Sequence, residues 1–191
     1  MQKQRGFTLI ELLVVLAIAA ILVMLAAPSF RQLIQSNSMS SGVNSFLSDV
    51  RYTRSEAIRR GGGIVMCRSD DPEAAPPVCG TGTGPNGAGW VSGWIVFQDL
   101  NTNGAVDANE PVLRVQAPIK SIDAILESGA SSSTKFRFTP TGRLSDSASA
   151  TQLKFGGSDF SSDLQRVICV SLGGRARIAG NGSTSCGSGN E

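Results

Sequence analysis

From Leu12 to Ala27 the chain carries no polar residue at all. About 20 apolar residues suffice to cross the hydrocarbon of a bilayer, so a run of this kind must end in lipid or against other protein. Glu11 stands at its start. A carboxylate in hydrocarbon costs roughly 2 kcal/mol or more on insertion scales, and such an acid is a functional hypothesis by default. Lys3 and Arg5 precede the run. The positive-inside rule therefore leaves them cytoplasmic and the C-terminal body on the far side. A secretory signal peptide fits less well, because the core is long, contains Glu11, and offers only Leu25-Ala26-Ala27 as a cleavage site. A plain anchor fits the length but not the acid so close behind Gly6-Phe7.

The remaining composition excludes more than it suggests. Residues 31–191 hold 15 Lys/Arg and 14 Asp/Glu, so no strongly basic body advertises a nucleic-acid partner and any such site is a local patch. There is no histidine, which removes the commonest general base and metal ligand. No Ser–Lys or paired-carboxylate spacing suggests an enzyme, and no small-molecule substrate or cofactor is indicated, calcium apart. The four cysteines fall into two near pairs without the C-x-x-C spacing of zinc sites. Behind a membrane-targeting segment they suggest disulfides. Proximity favours Cys67–Cys79 and Cys169–Cys186, each worth on the order of 3 kcal/mol by loop closure; three pairings are formally possible.

Beyond Pro28 the helical pattern resumes. Val43, Phe46, Leu47, Val50, Ala57 and Ile58 recur at three- and four-residue spacing. Arg51, Arg54, Glu56, Arg59 and Arg60 lie largely off that stripe, as on a solvated face or one that meets neighbouring subunits. Gly61-Gly62-Gly63 stops the helix. One helix is thus expected from Phe7 to Arg60, kinked at Pro28 by the lost backbone bond. Short turn-bounded strands follow at Ile64–Cys67, Trp94–Phe97, Val112–Val115, Lys135–Phe138, Leu153–Phe155, Val167–Leu172 and Arg175–Ile178. The expected fold is α+β: a long helix whose second half packs on an antiparallel sheet or small sandwich.

The stretch Gly6-Phe7-Thr8-Leu9-Ile10-Glu11 resembles the class III signal of type IV pilins and pseudopilins. The resemblance implies a pilin-like fold, cleavage by a prepilin peptidase between Gly6 and Phe7, and N-methylation of Phe7. It implies a leader of residues 1–6, a transmembrane or filament-core half-helix of 7–30, and a periplasmic head of 31–191 comprising half-helix 31–60 and β-rich domain 61–191. It also implies that Glu11 pairs with the N-terminal amine of a neighbouring subunit, since a buried carboxylate is tolerable beside a cation. The partners are then other pilins. The chain would sit in the bacterial inner membrane before assembly and in a pilus at the cell surface afterwards. "SEAIRRGGGIVMC" and "GWIVFQDLNTNGAVDANEPVLR" narrow the resemblance to the minor pilins and pseudopilins of the FimT/GspH group.

Two further constellations stand out. Asp99, Asn101, Asn103, Gly104, Asp107 and Glu110 fit the calcium-loop template D-x-[DN]-x-[DN]-G-x5-E. Strands rather than helices are expected on either side, so the alternative is a hairpin connection of Asx turns. Gly174-Arg175-Ala176-Arg177 matches the G-R-x-R motif by which FimT-type minor pilins bind DNA during natural transformation. The resemblance implies that Arg175 and Arg177 grip double-stranded DNA, two guanidiniums on one strand face meeting successive phosphates. Gly174 would let the duplex approach, and Arg143, Lys154 and Arg166 are candidates to extend the patch. The competing readings are a GspH-like pseudopilin of a type II secretion system, and an assembly subunit that binds no DNA.

Overall fold

A computed structural model describes residues 8–128, 134–145 and 150–186. Two compact units divide the chain, Met1–Asn37 and Ser38–Glu191. Helix α1 runs from Leu9 to Arg60. In the first unit large apolar side chains such as Leu9, Leu16, Leu25 and Ile34 stand exposed. Among the described residues α1 is the one helix long and apolar enough to cross a membrane.

In the second unit the stripe anticipated from the spacing becomes the core. Met39, Val43, Phe46, Leu47, Val50 and Ala57 are buried against two antiparallel sheets. The helix ends as Gly62 N–H bonds back to the Ala57 carbonyl, a five-residue reach that requires a left-handed turn and finds it at Gly61. Beside that end, Glu56 accepts hydrogen bonds from Arg59 and Arg60. First Arg59 and then Arg60 hold its carboxyl at about 2, against an ordinary value of 4.5. A depressed carboxyl stabilises the fold above its unfolded value and loses that contribution as pH falls toward its folded one. The stability difference between wild type and Glu56→Gln is therefore expected to hold at pH 6 and shrink between pH 4.5 and 2, measured as melting temperature against pH. A difference that persists unchanged at pH 2 excludes the clamp.

The first sheet orders β3 (Val112–Gln116), β2 (Trp94–Gln98), β1 (Ile64–Arg68) and β5 (Lys135–Phe138). Its inner face gives Ile64, Met66, Trp94 and Val96 to the helix. On its outer face Val65, Cys67, Ile95 and Phe97 form a second cluster, covered by Cys79 and Val106 from two long loops. Burial on both faces explains why β1 and β2 read as continuous apolar runs rather than alternating ones. Asp49 of the helix accepts from Trp94 Nε1 at 2.8 Å and from Arg114 Nη1 at 2.6 Å, fastening α1 to β2 and β3.

The second sheet orders β4 (Ala124–Ser128), β6 (Thr151–Gly156), β7 (Arg166–Val170) and β8 (Ala176–Gly180). Strand β4 has no counterpart in the sequence-based expectation. Its alternation is spoiled because Leu126 points outward, 43% exposed, while Ile125 is buried. The eighth strand begins one residue later than expected and leaves Arg175 in the preceding turn.

Candidate functional site

The G-R-x-R stretch closes the β7–β8 hairpin. Ser171 N–H donates to the Arg175 carbonyl at 2.9 Å and Gly174 N–H to the Ser171 carbonyl at 2.8 Å. Gly174 is buried with φ +73°, where a side chain is strained. A Cβ there would lie 2.1 Å from the Gly142 carbonyl oxygen. This glycine is thus needed to pack the turn onto the 139–143 turn. Ala176 packs on the core, while Arg175 and Arg177 are exposed.

The two arginines have different surroundings. Arg177 is paired in register with Cys169, so it shares that residue's outer sheet face. Lys154, opposite Val167, lies on the same face because Val167 and Cys169 are two residues apart on β7. Arg175 instead lines a groove of about 420 Å³ together with Arg51, Arg54, Ser55 and Ile58 of α1. The helix arginines had looked like a solvated face. Only tertiary contact reveals their meeting with Arg175, and no local sequence signal marks it. Arg143 is exposed beside Gly142, whereas Arg166 donates to the Asp163 and Gln165 carbonyls at the far end of β7.

Gly6 and Phe7 lie outside the described residues. Two residues on, Thr8 caps the helix: its Oγ1 accepts from Glu11 N–H at 3.3 Å and its carbonyl from Leu12 N–H at 3.2 Å. Thr8-x-x-Glu11 is a capping-box spacing, a signal for this cap that the sequence carries. The cysteines are bonded as Cys67–Cys79 and Cys169–Cys186.

In the Asp99–Glu110 loop the acids bind the chain itself. Asp99 pairs with Arg137 at 2.7 Å and accepts from Gly104 N–H. Glu110 accepts from the Leu100, Asn101 and Asp107 amides, and Asp107 from the Asn101 and Asn103 side chains. Lys135 donates to the Gly104 carbonyl. Asp99 Oδ1 is buried without a hydrogen-bond partner, and among the described residues no group of three acidic, His or Cys side chains converges.

Comparison with known proteins adds the following. The family described as "Type II transport protein GspH" matches residues 42–174. The "Prokaryotic N-terminal methylation motif" matches residues 1–27. Two crystal forms of the type IV minor pilin FimU from Pseudomonas aeruginosa (strain PAO1) are similar in structure. One is 18% identical and covers 74% of this chain and 88% of that one, with a TM-score of 0.53. The other is also 18% identical and covers 73% and 90%, with a TM-score of 0.48. At this identity the first likeness shows the fold: a long N-terminal helix with antiparallel sheets. No curated protein matches the chain.

Proposed function

The chain belongs to the GspH family of pilin-like proteins, and from that premise we propose that it is a minor type IV pilin whose head binds double-stranded DNA for uptake. Assembly with other pilins and processing by a prepilin peptidase accord with the methylation motif over residues 1–27. The observation that carries the DNA reading is the exposure of Arg175 and Arg177 on either side of core-facing Ala176, at the start of an edge strand. Guanidiniums presented this way bind phosphate bidentately and carry no base information. Binding is therefore expected to be indifferent to sequence and steeply salt-dependent.

Arg175→Ala with Arg177→Ala is expected to abolish a gel shift of double-stranded DNA at low salt while leaving the circular dichroism and melting temperature unchanged. An undiminished shift overturns the reading. The family's description as a type II transport protein favours a second reading, a pseudopilin of a secretion apparatus without a DNA role. A wild-type chain that gives no shift at all overturns the DNA reading and leaves the two readings without a DNA role.

A further inference from the structure

The groove that receives Arg175 has an unusual electrostatic balance. Five other arginines of the head meet acids: Arg59 and Arg60 pair with Glu56, Arg68 with Asp70, Arg114 with Asp49 and Arg137 with Asp99. Arg51, Arg54 and Arg175 line one groove, and no acid lines it with them. Among the described residues none of the three guanidiniums has an ion pair. Like charges gathered this way repel, and an anion between them turns that repulsion into attraction.

Arg54 is the most telling of the three. Its Nε is buried and donates to nothing. A buried donor without an acceptor is costly, and a native structure that keeps one calls for an explanation, an ion among the possibilities. The position of this nitrogen is set by its surroundings: a Cβ on Gly142 would come within 2.9 Å of it. Gly142 in turn supports Gly174 through its carbonyl. The helix wall and the motif turn are therefore built against each other. Arg51 and Arg54 are three residues apart and so neighbours on the helix surface.

We infer that this groove seats a phosphate of the DNA backbone, with Arg51 and Arg54 as contacts beyond the G-R-x-R motif. The inference rests on the DNA-binding reading of Arg175. A phosphodiester suits the groove better than a base. Three guanidiniums offer planar forks for phosphate oxygens, and no aromatic ring lines the groove to stack on a base. Arg175 belongs both to the groove and to the motif, and so links the helix pair to the G-R-x-R stretch.

The test uses the full-length chain in a neutral detergent and a short double-stranded DNA, followed by fluorescence anisotropy over a salt series. Each phosphate neutralised contributes about 0.9 to the slope of log affinity against log salt. Arg51→Gln with Arg54→Gln is expected to weaken binding at least tenfold at low salt and to reduce the slope by about 1. Arg51→Lys with Arg54→Lys, which keeps the charge but not the fork, is expected to retain most of the slope and lose part of the affinity. Should the glutamine pair fail to fold, exposed Arg51→Gln alone is expected to weaken binding at low salt and to lower the slope by less than about 1. If wild type binds and Arg175→Gln with Arg177→Gln does not, while the helix variants match wild type in affinity and slope, this inference is overturned and the DNA reading stands. If wild type does not bind, both fall. Helix variants that bind DNA normally but no longer enter filaments would assign the groove to an acidic surface of a neighbouring subunit, and overturn the inference equally.

Discussion

Glu11→Gln is expected to leave the chain inserted and cleaved but to cut its incorporation into filaments by roughly a hundredfold to a few thousandfold. The magnitude follows from the proposed pairing with a neighbour's N-terminal amine. Removing one partner of a buried ion pair costs about 3–5 kcal/mol, and every 1.4 kcal/mol is tenfold in an equilibrium. Glutamine is the informative replacement because Glu11 has a second, local position in the fold. It occupies the third helical position behind Thr8, whose Oγ1 accepts its amide hydrogen. Either Glu or Gln serves at that place in a capping box. Glutamine therefore keeps the cap and removes only the charge, whereas alanine alters both. Thr8→Ala, which removes the cap and keeps the charge, is expected to assemble nearly as wild type. The measurement is the ratio of protein in sheared filaments to protein in the membrane fraction, by immunoblot. Equal ratios for Glu11→Gln and wild type exclude the pairing; a Thr8→Ala defect as large as that of Glu11→Gln assigns the effect to the cap.

The largest effect on stability is expected at Phe46. The side chain is fully buried at the centre of the head. Its ring lies 5.2 Å from that of Trp94, 5.5 Å from Trp90, 5.6 Å from Phe155 and 6.2 Å from Phe136, centroid to centroid, all edge-on. These rings come from α1, both sheets and the turn at Trp90–Ser92. Phe46→Ala leaves a cavity that no single element closes by shifting. Such replacements cost about 3–5 kcal/mol. For a domain of this size the melting temperature is expected to fall by about 6–20 °C. Trp90 and Trp94 are the only tryptophans in the chain, and both touch Phe46, so intrinsic fluorescence reports the transition directly. A fall of less than about 2 °C would show that the rings repack around the gap.

The helix was legible because two kinds of local evidence agreed, an unbroken apolar run and then a stripe at helical spacing. The central strands were legible for a related reason: β1 and β2 are buried on both faces and read as dense apolar blocks. Strand β4 escaped because Leu126 faces outward on a sheet edge, so its pattern lacks the alternation that marks a half-buried strand. The existence of two sheets rather than one was equally hidden, since pairing partners are set by contacts far apart in the chain. At the candidate site, the residues were visible as a motif but their surroundings were not. Sequence placed Arg175 and Arg177 on one strand face; in the fold Arg175 belongs to the turn and meets the helix. Arg51 and Arg54 gave no sign of it, because an arginine on a solvated helix face and one on a groove wall have the same local spacing.

The backbone contact between Gly142 and Gly174 has a consequence for how the binding surface can vary. The turn that presents Arg175 rests on the Gly142 carbonyl oxygen and on the Phe138 ring. A side chain at Gly174 would meet both, so the turn is held by contacts in which the arginine itself takes no part. A change of charge at position 175 therefore alters what this surface attracts without altering the turn that presents it.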